Sequence, residues 1–357
     1  MIQIKIYNKA FSALTAFNQG EIGALSYKHS LTDIGSCDFI LDINNVKVTS
    51  ANLQNYNKIE IYNGSVIEWV GYIVKKDISL NKVTVRCKSL IGLLKKRLVG
   101  DAYTISGGAG AGIQSMLATL NASEDTYIAW GATDIVTAVN LTFGNQDALT
   151  VLKKVSDVTV GQYIVDIDRK LYFKSVIGDD LSASVSFIYN VVNPELANIL
   201  AFNVSDDGDD IFTKAYGKSD TLSSTKTNAT LKTKYGTLET YKNFRVANVQ
   251  ADLDALTDNE IADALYSPQL DLSPDVVDNF YVGDIVNIEI NNKLVSISGN
   301  YQIVEKSIKI VNGQKMITIK IRIEKIIVFL LAMSLMKHKG YFVFIPNICR
   351  KNEEKIA

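Results

Sequence analysis

The chain has 357 residues, enough for two or three domains that each bury a core without the help of disulfides. Its 47% hydrophobic and 21% charged content, with a mean hydropathy of +0.09, excludes a disordered chain. Lysine plus arginine number 37 against 38 acidic residues, and the resulting net charge of -1 leaves no electrostatic footprint for DNA or RNA.

The N-terminal MIQIKIYNKAF alternates apolar and polar residues and lacks the charged start and apolar block of a signal peptide, so Sec-type export is not expected. Ile2, Ile4 and Ile6 share one strand face, Cys37, Phe39, Leu41 and Ile43 share another, and Asn63-Gly64 sets a tight turn between IEIY and SVIEWV. SLIGLLKKRL then predicts a closing helix. Leu90, Leu93, Leu94 and Leu98 fall on one stripe, and Lys95, Lys96 and Arg97 suit the negative end of the helix dipole. Residues 1–98 are thus expected to form a first antiparallel β-domain.

Residues 99–200 read as a small α/β insert. Ile113, Met116, Leu117 and Leu120 make a helical stripe after the glycine-rich SGGAGAG, and Ala148, Leu149, Leu152 and Val155 make a second after the strand VNLTF. The strands YIVDI and KLYFK follow as a hairpin around Asp168-Arg169. Residues 201–250 read as a return segment in which SDTLSSTKTNATLKTK is an exposed loop or mobile hairpin. Residues 251–325 are expected to form a second β-domain, in which a Thr257/Glu260 capping box starts a helix that Ile261 and Leu265 continue and the β-unit begins at Asp284. In it, Asn312-Gly313 joins two strands, and Ile317, Ile319, Ile321 and Ile323 alternate with polar residues. Residues 326–357 do not fit this pattern. Their apolar run IIVFLLAMSLM is too short to span a bilayer core of about 30 Å as a helix. Three readings compete for this tail: a docking segment covered by a partner, a membrane-touching tail through 326–347, and an appendage read through past the natural end.

The two β-domains share a pattern. IEIYNGSVIEWVGY, IVKKDI and VTV in the first are echoed in order by IEINNKLVSISGNY, IVEKSI and ITI in the second. With IEI on IEI, Asn63 falls on Asn292 and Tyr72 on Tyr301, and one inserted residue brings Ile73-Val74-Lys75-Lys76 onto Ile303-Val304-Glu305-Lys306. Two similar domains split by an unrelated insert predict pseudo-symmetric assembly, because equivalent surfaces let fewer subunits complete a ring.

Residues with catalytic or ligating potential are sparse. Ser106 to Gly112 precedes a helix but has neither a GK[ST] ending nor an acid placed to read a ribose, so it reads as a flexible loop and helix start. Asp206, Asp207, Asp209 and Asp210 around Gly208 lack the spacing and bidentate Glu of a calcium loop and read as a solvated turn. The two histidines, His29 and His338, lie far apart, and no GxSxG or HExxH motif is present. Cys37, Cys87 and Cys349 are odd in number and lack CxxC spacing; Cys37 and Cys87 read as core hydrophobes. No catalytic, cofactor-binding or metal-ligating residue is therefore assigned. Trp69 and Trp130, with 17 Tyr and 13 Phe, offer aromatic faces for a sugar, although packing is the ordinary role of aromatics on alternating strands.

Four stretches together resemble one known family. They are IEIYNGSVIEWVGYIVKKDISLNKVTVRCKSLIGLLKKRLV, then LTFGNQDALTVLKKVSDVTVGQYIVDIDRKLYF, then FNVSDDGDDIFTKAYG, and finally FYVGDIVNIEI with YQIVEKSIKIVNGQKMITIKI. In that order they are similar to the phage tail hub proteins, which include the baseplate hubs of contractile tails and the hub or tail-associated proteins of long non-contractile tails. The resemblance implies an α+β, mainly β fold with two similar tube-like antiparallel β-barrels separated by a small α/β insert. It also implies a homotrimer whose six barrels match a hexameric tail tube, with a tube or distal tail protein above, a spike, tip or fibre protein below, and a channel for DNA. No lysozyme, peptidase or spike module follows the second β-domain, so wall digestion is not implied. A host-surface glycan-binding module displaying residues 218–234 and the aromatic strands is the alternative, and a tail-associated wall hydrolase with an unmarked carboxylate pair is the third reading.

Overall fold

The computed structural model describes residues 1–322 except 191–194, 196, 262–264, 293–294 and 312. The tail 326–357, with His338 and Cys349, and the turn residue Asn312 lie outside the described residues.

Alternation shapes the first seven strands, β1 (Ile2–Tyr7), β2 (Ala13–Asn18), β3 (Ile22–Ser30), β4 (Ser36–Asp42), β5 (Lys58–Asn63), β6 (Val66–Ile78) and β7 (Lys82–Ser89). Ile4, Ile6, Phe39, Leu41, Val83 and Val85 are buried on one face, as a period of two requires. Cys37 and Cys87 are buried, unbonded and directly opposed across β4 and β7, and burial pushes the Cys87 thiol well up. The closing helix is a 3₁₀ turn, Leu90–Lys96, that buries Leu90, Ile91 and Leu94. Leu98 lies beyond it and is exposed, because Arg97 has already turned to extended backbone.

The insert contains β8 (Tyr103–Gly108), α1 (Ala109–Ser123), β9 (Ala129–Thr133), β10 (Ala138–Phe143), α2 (Ala148–Thr159), β11 (Gln162–Val165) and β12 (Lys170–Lys174). The glycine-rich run does start a helix, forming the first turn of α1, but the part before it ends the strand β8 instead of forming a loop. A Cβ on Gly110 would lie 2.7 Å from the Ile135 carbonyl, so glycine here permits close packing. The α1 stripe is buried, α2 buries Ala148, Leu152 and Val155 together with Val151 while Leu149 is half-buried, and the Asp147 carboxylate caps α2 by accepting from the Thr150 N–H at 3.0 Å.

The return brings β13 (Ser186–Asn190), β14 (Ile199–Asp207), β15 (Lys214–Lys218), β16 (Ser223–Thr227), α3 (Ala229–Tyr235), β17 (Glu239–Asn243) and α4 (Gln250–Asp258). SDTLSSTKTNATLKTK contains β16, which forms a hairpin with β15, and the short α3, and β15 pairs on its other side with β17. The Thr257/Glu260 box does not start a helix. Thr257 stands in the last turn of α4, where its hydroxyl donates to the Leu253 carbonyl at 2.7 Å, and Leu265 opens a strand instead.

The chain ends its described part with β18 (Leu265–Leu272), β19 (Ile285–Asn291), β20 (Ser296–Val311) and β21 (Gln314–Arg322). One mainly antiparallel sheet of 13 strands runs β14-β18-β21-β20-β3-β4-β7-β6-β5-β1-β2, with β19 and β13 branching from β20. The expected closed barrels do not form among the described residues. In the second half β13 curls back toward β14, with the Tyr189 and Phe202 rings 4.8 Å apart, but no ladder joins those strands. The fold is α+β and mainly β.

Candidate assembly interface

The duplication read from sequence is one of strands and register. β5-β6-β7 and β19-β20-β21 are the same antiparallel meander, and β6 and β20 each carry a bulge at the same aligned place, between Ile73 and Lys75 and between Ile303 and Glu305. Ile73 stands opposite Cys87 as Ile303 stands opposite Ile321, and Ile78 opposite Val83 as Ile308 opposite Ile317. Gly71 faces Ile59 as Gly299 faces Ile288. Tyr72 and Tyr301 are therefore not register partners. A further bulge around Glu68, between the Ile61–Trp69 and Tyr62–Ile67 pairs, shifts the first copy by one residue.

The likeness extends outward into strands whose sequences do not resemble each other. β4 lies on β7 as β18 lies on β21, and β3 lies on β4 as β14 lies on β18. Both outer ladders slip at matching positions, between Ile22 and Ala24 and between Ile199 and Ala201. The strand beyond the meander differs in direction: β1 is antiparallel to β5, whereas β13 is parallel to β19.

A seam joins the two halves. β3 pairs antiparallel with the outer part of β20, from Ser30 opposite Glu305 to Ala24 opposite Val311, and the Leu31 N–H donates to the Val304 carbonyl at 2.9 Å. Charged side chains from both halves meet beside it. Lys306 Nζ, buried, donates to the Asp278 carboxylate and to the Phe280 carbonyl at 2.6 Å, and Lys315 Nζ reaches the other Asp278 oxygen at 2.5 Å. From the first half, the Tyr27 hydroxyl donates to Glu68, whose carboxylate lies 3.7 Å from Lys315 Nζ. Lys28 adds a pair with Glu305 at 2.9 Å. Burial raises the Asp278 carboxyl, but the two ammonium groups outweigh it and hold the acid below its ordinary value. Burial and the Lys306 charge lower His29, on the same stretch of β3, to about 4. Desolvation offsets much of the attraction in a buried cluster of this kind, whereas removing one partner leaves a buried charge uncompensated.

His29, Val66, Ile164, Tyr172, Tyr281 and Lys306 help line a cavity of about 360 Å3 beside the seam. Trp69 is buried with its indole N–H on the Lys28 carbonyl at 3.2 Å, and Trp130 is half-buried against the core, so neither stands as an open platform for a sugar. Asp206 and Asp207 end β14, and among the described residues no group of three or more His, Cys, Asp or Glu is placed to hold a metal ion. No helix among the described residues is long and apolar enough to cross a membrane.

No family model and no curated protein matches the sequence. Solved structures define the fold as that of phage and prophage tail proteins. A tail protein from Neisseria meningitidis MC58 aligns with a TM-score of 0.64 at 11% identity, over 90% of this chain and 95% of its own. The 43 kDa tail protein of prophage MuSo2 from Shewanella oneidensis gives 0.64 at 9% identity, over 90% and 97%. The prophage tail protein gp18 from Listeria monocytogenes EGD-e gives 0.56 at 17% identity, over 95% and 100%.

Proposed function

We propose that this chain is a structural subunit of a phage or prophage tail. It forms a homotrimeric, pseudo-sixfold hub ring that joins the tail tube to a distal spike, tip or fibre and leaves a channel for DNA. Each half-sheet acts as one tube domain, so three chains present six equivalent surfaces to a hexameric tube, while the insert faces the tip. The observation that carries this reading is the repeated half-sheet with its internal β3–β20 seam, a contact between equivalent units of the kind from which rings are built. The tail-protein fold supports the same reading. Function then resides in interfaces, without catalysis.

Light scattering of the full chain tests the proposal. The expected result is a mass three times the 39.3 kDa of the monomer, with ring-shaped particles showing sixfold-like density on one face in negative stain. A monomer at every concentration, or a two-fold dimer, argues against the ring.

A further inference from the structure

The first half lacks a contact that the second half has. Beyond its bulge β20 is flanked by β21 on one side and β3 on the other. Beyond its own bulge β6 is flanked by β7 alone among the described residues, because β5 ends at Lys58 opposite Tyr72. The consequence shows in a matched pair of residues: Ile308, covered by the seam, is 3% exposed, whereas its counterpart Ile78 is 69% exposed, next to Leu80 at 90%. At the other end of the sheet β14, the counterpart of β3, has β18 as its single ladder partner among the described residues, and β13 approaches it at Phe202 without pairing. A free strand edge beside exposed apolar side chains is a template for pairing with another chain.

We propose that β14 of one copy of this chain pairs antiparallel with the outer part of β6 of the next copy, repeating between chains the β3–β20 seam found within each chain. This rests on the trimeric reading above and names its contact surface. The register follows from the matched ladders. Leu25 and Phe202 are equivalent through Phe39–Val85 and Leu270–Ile319, so Tyr27, Lys28, His29 and Ser30 correspond to Val204, Ser205, Asp206 and Asp207. Transferring the seam pairs Tyr27–Ile308, Lys28–Ser307, His29–Lys306 and Ser30–Glu305 puts Val204 opposite Ile78, Ser205 opposite Asp77, Asp206 opposite Lys76 and Asp207 opposite Lys75.

The charges at these register positions are complementary, two acids on β14 against two lysines on β6, and opposite charges directly across an antiparallel pair favour that register. Lys75 is held at present by Asp77 at 2.8 Å in a solvent-exposed pair, a weak tie that is easily exchanged. The contact is also heterologous. Each chain offers a β6 edge from its first half and a β14 edge from its second, so repeating the contact adds chains in one direction, which excludes a two-fold dimer and gives a ring where the rotation closes.

The test is a full-length Ile78→Cys, Val204→Cys double variant oxidised at low protein concentration, beside each single variant and their mixture. We expect a covalent ladder ending at three chains from the double variant, and crosslinked pairs from the mixture well above the level of either single variant. A Lys75→Glu, Lys76→Glu variant is expected to weaken trimer formation at least tenfold by light scattering, and adding Asp206→Lys and Asp207→Lys is expected to recover most of that loss. Circular dichroism of each variant guards against misfolding. A trimer that forms without the 78–204 crosslink and is indifferent to the charge reversal overturns this pairing while leaving the ring intact. A chain that stays monomeric and uncrosslinked overturns both.

Discussion

The two halves of the large sheet carry the same strand plan and bury it differently. In the second half the outer part of β20 is covered on both edges, and a lysine at its bulge, Lys306, is buried with an acid and a carbonyl for partners. In the first half the equivalent Lys76 is half-exposed on a strand with one neighbour. The difference is one of environment, since each position has a lysine. One copy of a repeated unit has found its neighbour inside the chain, and the other presents the same edge to solvent.

The largest effect that distinguishes the halves should come from those lysines. Removing one partner of a buried ion pair leaves the other charge uncompensated, at a cost of about 3–5 kcal/mol. Lys306→Ala and Asp278→Ala are each expected to lower the unfolding free energy obtained from urea titration by an amount in that range, with Lys306→Ala toward its lower end because Asp278 keeps Lys315. Lys76→Ala should change monomer stability by no more than about 0.5 kcal/mol. Comparable losses at Lys306 and Lys76 would mean that the halves are not energetically distinct.

The isoleucine pair sharpens the comparison without charge. Ile308→Ala removes a side chain packed at the seam and should cost about 2–4 kcal/mol, with the spread set by how far the site collapses. Ile78→Ala should be close to neutral for folding of a single chain yet should weaken assembly, which light scattering across a dilution series would show.

Sequence reading reached as far as local pattern reaches. The meanders β5-β6-β7 and β19-β20-β21 were legible because alternating isoleucines and valines mark strands, whereas the bulge that both carry at Ile73-Val74-Lys75 and Ile303-Val304-Glu305 shows only in the ladders. The match of β3 with β14 was not legible, because ALSYKHS and AFNVSDD share only an alternating apolar pattern and the equivalence lives in pairing order. Nor was the charged cluster, since Tyr27, Glu68, Asp278, Lys306 and Lys315 are spread singly along the chain and only the β3–β20 pairing assembles them. The Thr257/Glu260 box misled because a capping signature is local and carries no information about a helix that has already begun at Gln250. The closed barrels came from the family resemblance rather than from any residue pattern, and here the β13–β14 edge stays without a ladder.

The smallest effect, and the one that reads the seam most specifically, is on pH. His29 faces Lys306, Glu68, Asp278 and Tyr27, and its folded pKa of about 4 lies below its ordinary 6.5. Between those values the unfolded chain binds more protons than the folded one, so stability is complete above pH 6.5 and falls as the pH drops toward 4, then levels off as far as this group is concerned. The full shift corresponds to about 3 kcal/mol, and the cavity beside the partly exposed ring reduces the expected loss to about 1–2 kcal/mol. Asp278 acts in a separate window: its depressed carboxyl contributes stability that is present above its ordinary 3.8 and is lost as the pH falls below it. His29→Gln should therefore flatten urea midpoints between pH 6.5 and 4 while leaving the steeper loss below 3.8, and Asp278→Asn should do the reverse. The register of the proposed contact between chains puts Asp206 where the internal seam has His29. Mild acid should accordingly loosen the fold of a chain before it loosens the ring, an order that light scattering and circular dichroism followed on the same samples would either show or refute.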